Sequence, residues 1–350
     1  MKKASDLLIK KLQSELKKSK LDGILICDKA DQKYLLGFHF YEEEAVFLIT
    51  PKEAYCFTRG LYVIELKDYA PFVKFSGPLD FAQAAADQAK KLKLKNFCFD
   101  PLKSMYYQGV IFKKAGAVEK PLFMSKMREV KTDEEIKKMR EACIIAYKTY
   151  LHMKEYIKTG MTEVAVAAEI ERYMKSLGAQ GPCFNTTVAF GVNTNNTHHE
   201  PGETKLAKES PLLLDFGCYY KNYTSDISRS WWHGKKPSAE YTKVWKIVDS
   251  ARAAGVKAAK PGMTGLSLDA VPRKVITDAG YGEYFIHRTG HGMGMQVHEN
   301  PNVESQNTNK FVQNNVISVE PGIYLPGKFG IRLEDTVVIT KTGGKILTKK

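Results

Sequence analysis

The feature that most constrains this chain is a repeat in its second half. Gly160-Met161-Thr162 recurs as Gly262-Met263-Thr264, 102 residues on, and Gly178 and Gly280 keep the same offset. Each triplet follows a long helical pattern and opens a second helix that ends near the later glycine. Self-similarity at a fixed offset marks a repeated structural unit. A strand-rich stretch follows each helix pair, with strands expected at 212–215 and 223–227 in the first half and at 316–320 and 330–338 in the second. Two helix–helix–strand–strand halves are expected to pack about a pseudo-twofold axis. A site between them would draw residues from both.

The residues that would meet there are acidic. Half one carries Leu213-Leu214-Asp215-Phe216-Gly217 and Ser225-Asp226-Ile227; half two carries Ser318-Val319-Glu320-Pro321-Gly322 and Arg332-Leu333-Glu334-Asp335. In each, an acid closes an apolar strand ahead of a turn glycine. A second acid is expected in the next strand, 11 residues later in half one and 14 in half two. An acid in an apolar strand is costly to bury unless it is paired or binds a metal. Four such carboxylates repel one another, and bound cations supply the compensating charge. An imidazole is expected to join them. Of the eight histidines, His198, His199, His287, His291 and His298 cluster, and Gly290 and Gly292 flank His291, which allows close backbone approach. Taken singly, these residues have plainer readings. A lone strand Asp is usually an edge residue, His199 can face solvent beside His198, and His287 can make a structural hydrogen bond. His152 and His233 read as surface or helix residues, and Trp231-Trp232 as packing.

The first ~120 residues alternate helical patterns, near 3–20, 80–92 and 103–115, with strand-like runs at 23–27, 45–50, 54–58 and 96–99. That alternation reads as a small α/β domain, 1–122, with no clustered catalytic set. Residues 123–131 are expected as a linker, and 132–350 as the catalytic domain. Thr132 with Glu135 three residues on forms a capping box, opening a helix that is expected to run to about Lys158.

Composition excludes several classes. The net charge is +14, yet the Lys and Arg residues are dispersed from Lys2 to Lys350, and no basic helix with interleaved aromatics appears. This is a solvated surface, and no nucleic-acid partner is expected. Cys27, Cys56, Cys98, Cys143, Cys183 and Cys218 form no C-x-x-C pair, which argues against a thiolate zinc site and for buried free thiols in a reducing compartment. The charged N-terminus reads as an amphipathic helix, and no run of about 18 apolar residues occurs, so no membrane association is expected and the location is expected to be cytoplasmic.

The ordered motifs resemble a known family. They are D-x-G…S-D-I-x-R at 215–229, T-G-H-G-x-G at 289–294, H-E-x-P at 298–301, E-P-G-I-Y at 320–324 and G-I-R-x-E-D at 330–335. Together they resemble the metallopeptidases of the aminopeptidase P, prolidase and methionine aminopeptidase family over roughly 130–345, and the N-terminal part resembles the creatinase-type domain of the aminopeptidase P and prolidase branch. The resemblance implies an α/β N-terminal creatinase-like domain and an α+β C-terminal pita-bread domain with an internal pseudo-twofold repeat. It implies two divalent metals, with Mn²⁺ expected ahead of Co²⁺, Zn²⁺ or Fe²⁺. Asp215 would chelate the first metal, Asp226 and Glu334 would bridge, and His291 and Glu320 would complete the second. A metal-activated hydroxide would attack the scissile carbonyl, with Glu320 as general base and His198 and His298 beside the substrate. Arg332 and Tyr324 would support the ligands from behind, Arg332 by orienting a bridging carboxylate.

The implied activity is hydrolysis of N-terminal Xaa–Pro bonds in small peptides with proline second. The alternative is an Xaa–Pro dipeptidase, which must hold proline's free carboxylate. Methionine aminopeptidase resembles only the C-terminal half. A creatinase-like or protein-binding relative without metal is the remote alternative, and a homodimer is the implied assembly. Two departures from the family pattern stand out: Thr197 precedes His198 where proline is common, and Asn300 stands in His298-Glu299-Asn300-Pro301 where a second Glu is common.

Overall fold

A computed structural model describes residues 2–41 and 44–349. The chain divides into two compact units, Met1–Met127 and Arg128–Lys350.

The first unit is built on a six-stranded mixed sheet in the order Lys74–Ser76, Ala54–Thr58, Ala45–Ile49, Gly23–Ile26, Phe97–Phe99, Val118–Glu119. Gly23–Ile26 runs antiparallel to Ala45–Ile49 and parallel to Phe97–Phe99, and all three strands are buried along their whole length. The stripe Ala82, Ala85, Ala86 and Ala89 of the helix Phe81–Lys91 packs closely against Phe97, Phe99 and Phe112. The helices expected near 3–20, 80–92 and 103–115 form at Lys2–Lys18, Phe81–Lys91 and Tyr106–Lys114.

Two further helices were not expected, Lys29–Leu36 and Gly60–Tyr69. The first is only eight residues long and is started by Asp28, whose side chain accepts from the Asp31 amide. The second opens on a glycine and carries Tyr62, Val63 and Ile64, residues with strand preference that tertiary context overrides. The segment expected as a linker, 123–131, contains the helix Phe123–Glu129, and the division between the units falls inside it.

In the second unit the repeat is visible atom by atom. The helix pair Asp133–Tyr156 and Glu163–Ser176 is followed by the pair Ala239–Ala258 and Gly265–Asp278. The capping box of Thr132 and Glu135 forms as expected. Thr162 and Thr264 cap the second helix of each pair. Gly160 and Gly262 both take φ 88°, a left-handed conformation that favours glycine, and Gly178 and Gly280 take 95° and 86°. The Gly160 amide donates to Leu206 O at 2.8 Å and the Gly262 amide to Phe311 O at 2.9 Å, so the same turn is pinned in both halves.

Half one lays its strands in the order Ile227–His233, Ser210–Phe216, Thr187–Phe190. Half two forms the sheet Glu299–Val303, Gly290–Gly292, Val316–Val319, Asp335–Thr340, Gly343–Ile346, with the hairpin Gly322–Leu325 and Phe329–Arg332 beside it. Separate apolar clusters fill the space between each half's helices and strands.

One expectation is corrected in both halves. The second acids do not lie within continuous strands. The run expected at 223–227 is broken into Tyr223–Thr224 and Ile227–His233, with Asp226 in the gap; the run expected at 330–338 is broken into Phe329–Arg332 and Asp335–Thr340, with Glu334 in the gap. An interrupted ladder frees the residue at the break to re-aim its side chain. The breaks face each other across the halves: the Glu334 amide donates to Ser228 O at 3.1 Å, and Thr336 Oγ1 donates to Asp226 O at 3.0 Å.

Candidate metal centre

Asp215 stands near the end of the strand Ser210–Phe216, and Glu320 directly follows Val316–Val319. His291 is the central residue of the short strand Gly290–Gly292. The flanking glycines are required by close approach. A Cβ on Gly290 would lie 2.1 Å from Ser318 O, and one on Gly292 2.4 Å from the Asn300 carbonyl carbon.

The five expected residues converge. Ligand atoms of Asp226, His291 and Glu334 lie within 4.8 Å of one another, and all three residues are buried. His291 Nδ1 contacts Gly292 O at 3.1 Å, while Nε2 lies 3.2 Å from Glu320 Oε1 and 3.6 Å from Asp226 Oδ2. Asp215, Asp226, His291 and Glu320 all line one cavity of about 560 Å³, together with His198, His199, His287, Arg288, His298 and Arg332.

The electrostatics fit a cation. Burial pushes the Asp226 carboxyl well up, and Glu334, Asp215 and Glu320 add to the shift. Glu334 is raised by burial and then by Glu320 and Asp215. Glu320 goes the other way: burial raises it, but the hydrogen bond and charge of His291 more than offset this and bring it to about 2. Asp215 Oδ1 and Glu334 Oε1 are buried without any hydrogen-bond donor among the described residues. Orphaned carboxylate oxygens beside repelling acids are what divalent ions neutralise. The donor set of carboxylates and one imidazole therefore fits a hard or borderline divalent metal.

The supporting residues depart from expectation in one respect. The buried Arg332 was expected to orient a bridging carboxylate, but its Nη2 pairs with Asp215 Oδ2 at 2.5 Å. It reaches Glu334 through a relay in which Nε donates to Ser228 Oγ at 2.8 Å and Ser228 Oγ donates to Glu334 Oε2 at 3.0 Å. Arg332 Nη1 also donates to Tyr324 OH at 2.7 Å and to Thr197 O at 3.2 Å, so the residue that replaces the usual proline is itself tied to the site. Burial pushes the Tyr324 phenol up to about 12, which keeps its hydrogen available. His287 Nδ1 meets Arg288 O at 2.8 Å and its Nε2 meets Tyr324 OH at 3.0 Å. With the hydrogen on Nδ1, Tyr324 donates to His287, completing a chain from Arg332 inward. His298 stacks edge-on against His291 with ring centroids 4.3 Å apart, and burial with the neighbouring charges of His291 and Arg288 lowers it to about 4. His198 is exposed on the cavity wall.

Sequence reasoning missed three residues. Ser318 Oγ accepts the His291 amide and donates to Glu320 Oε1, both at 3.0 Å. Glu299, beside His298, is buried between Arg128 at 3.0 Å and Lys131 at 2.9 Å, an ion triad that holds the start of its strand. Glu163, fully buried, hydrogen-bonds to His199 at 2.8 Å. Glu299 lay inside a quoted motif, but its basic partners are some 170 residues away in sequence. Nothing local flags Ser318 or Glu163.

A pseudo-twofold α+β unit with buried acids and an imidazole at the seam defines a metallopeptidase architecture. Residues 137–341 match Metallopeptidase family M24 and residues 9–142 match the Creatinase/Prolidase N-terminal domain. This chain belongs to metallopeptidase family M24, and its expected two-domain class is borne out. Similar proteins include an uncharacterized peptidase, YqhT, from Bacillus subtilis, 35% identical over 97% of both chains. Among solved structures, an Xaa-Pro dipeptidase from Bacillus anthracis superposes with a TM-score of 0.92 at 32% identity, covering 99% of this chain and 98% of that one. An X-Pro aminopeptidase from Thermotoga maritima superposes with a TM-score of 0.85 at 33% identity, covering 95% and 96%. No helix among the described residues is long and apolar enough to cross a membrane.

Proposed function

We propose that this chain is a metal-dependent exopeptidase that hydrolyses the bond before a proline at the second position of short peptides. The observation that carries this reading is the convergence of Asp215, Asp226, His291, Glu320 and Glu334, with Asp215 Oδ1 and Glu334 Oε1 buried and undonated. The named relatives supply the Xaa–Pro bond.

In this reading Asp215, Asp226, His291, Glu320 and Glu334 would hold two divalent metals, Asp215 serving the first, His291 and Glu320 the second, and Asp226 and Glu334 both. Oxygen-rich ligation with one imidazole favours Mn²⁺ or Co²⁺. When bound, the metals supply Lewis acidity and make water a usable nucleophile at neutral pH. Glu320 takes the proton from the attacking water. His298, held neutral, and His198 offer N–H donors to the scissile carbonyl oxygen as charge develops there. Arg332 fixes Asp215, and Tyr324 with His287 fixes Arg332.

The dipeptide reading has a specific observation in its favour. Arg288 lines the cavity with a third of its side chain exposed, and Glu304 pairs with it only at 3.7 Å. Arg332, by contrast, already has its nitrogens engaged. Arg288 is therefore placed to take a free proline carboxylate. A catalytic domain of 132–350, a homodimer and a cytoplasmic location belong to the same proposal on the strength of the family alone. The Mn²⁺-loaded protein assayed on Ala-Pro and Ala-Pro-Ala tests the function. Cleavage of the dipeptide alone identifies a dipeptidase, and preference for the tripeptide an aminopeptidase. Cleavage of neither rejects the proposal.

A further inference from the structure

The cavity wall supplied by half one contains a carboxylate–imidazole pair that the proposed chemistry leaves unused. Glu163 is the first residue of the helix Glu163–Ser176 and is fully buried. Its Oε1 accepts from the Phe190 amide at 2.8 Å and from Asn193 Nδ2 at 2.9 Å. Its Oε2 accepts from the Gly202 amide at 3.1 Å and meets His199 Nε2 at 2.8 Å. Backbone amides can only donate, so both oxygens already act as acceptors and His199 Nε2 is left as the donor. A carboxylate that takes one ring N–H fixes the tautomer and the ring plane of a histidine. In the neutral ring Nδ1 is then an acceptor. Nδ1 has no hydrogen-bond partner among the described residues, and His199 lines the same cavity as Asp226, His291 and Glu320. The device is confined to half one. The position 102 residues on is Gly265, where a Cβ would lie 2.4 Å from Asn302 O.

We propose that Glu163 holds His199 as a substrate-positioning residue, with His199 Nδ1 accepting a hydrogen bond from the terminal ammonium of the bound peptide, the N–H donor that an Xaa-Pro dipeptide keeps because its proline nitrogen has none. This inference rests on the peptidase reading above. Glu163 acts through His199 and touches no substrate itself.

The discriminating variant is His199→Gln, which keeps an N–H donor for Glu163 but places no acceptor where Nδ1 stood. With the full-length Mn²⁺-loaded chain and Ala-Pro as substrate, His199→Gln raises KM roughly tenfold, with kcat and thermal midpoint close to wild type. Glu163→Gln, which replaces one of the two accepting oxygens with a donor facing backbone N–H groups and so loosens the hold on His199, raises KM but adds nothing on the His199→Gln background. Nitrogen NMR of the imidazoles finds hydrogen on Nε2 and an unprotonated Nδ1 of His199 in the wild type. An unchanged KM in His199→Gln, additive effects in the double variant, or hydrogen on Nδ1 in the wild type each overturns the proposal. A wild type that cleaves neither Ala-Pro nor Ala-Pro-Ala rejects the parent peptidase reading instead, and the tautomer measurement still decides whether the pair is built as described.

Discussion

The two halves of the second unit share one scaffold and use it differently. In half one, Thr187 faces Asp215 across the ladder and Ala189 faces Leu213. In half two, the Glu320 amide donates to Thr289 O, and the next pair along is His291 with Ser318. An apolar pair in one half thus corresponds to an imidazole and a hydroxyl in the other. The buried carboxylates of the second helices differ as well. Glu163 grips the loop 190–202, whereas Asp269 accepts from the Thr289 amide at 2.9 Å and from Arg273, which also holds Phe285 O and His287 O. The scaffold fixes where acids meet, and the exchanged positions decide which half brings the imidazole.

The largest expected effect removes an acid from the seam. Asp226→Asn or Glu334→Gln abolishes turnover and the thermal stabilisation by Mn²⁺. The chelated variant melts a few degrees above chelated wild type, because like-charge repulsion is relieved. Scanning fluorimetry with Mn²⁺ and with chelator reads all of this; full turnover in either variant refutes the bridging assignment.

The next test sets the exchanged pairs against each other. Leu213→Ala costs about 2–5 kcal/mol of stability by denaturant titration, while the folded fraction stays active. Ser318→Ala loses roughly tenfold in turnover as well as about 1–3 kcal/mol of stability, since it leaves the buried His291 amide without its acceptor and frees Glu320. If the two outcomes are exchanged, the division of labour is wrong.

Smaller effects test what the halves still share. Gly160→Ala and Gly262→Ala should cost the same, about 1–2 kcal/mol each, because both turns are left-handed with open space around them. Unequal costs would mean the turns have diverged.

The smallest effect is an acid-side one. Glu169 of half one pairs with Arg172 and His152, the Arg172 hydrogen bond above all drawing it down from 4.5 to about 2; half two has Val271 at the matching place. A depressed acid stabilises the fold above its unfolded pKa and loses that contribution as pH falls toward the folded value. Glu169→Gln should therefore flatten the fall in thermal midpoint between pH 4.5 and about 2, and an unaltered acid limb would show that the pair contributes nothing.

Much of this was legible in the sequence, because the repeat and the five converging residues lie in local patterns of glycine, acid and apolar strand. Helix-starting threonines and left-handed glycines leave the same local mark. The strand breaks at Asp226 and Glu334 did not show, since residues with strand preference flank both gaps, Tyr223-Thr224 and Ile227 around one and Ile331 and Val337-Val338 around the other, and only the facing half explains the interruption. Nor did the partners of Arg332, Glu299 and Glu163. Each is a charge whose counterpart lies 36 residues or more away, and burial makes the pairing obligatory without marking it in the chain.

The crossed bonds at the strand breaks have a further consequence. The backbones of Asp226 and Glu334 are held by the opposite half, through Thr336 and Ser228. Neither half could persist as an autonomous folding unit, for each alone would carry two inward acids with no seam to hold them. A pair of fragments cut between 233 and 239 would thus be expected to complement one another most readily when divalent metal is supplied, with the ion serving as the cross-link that closes the domain.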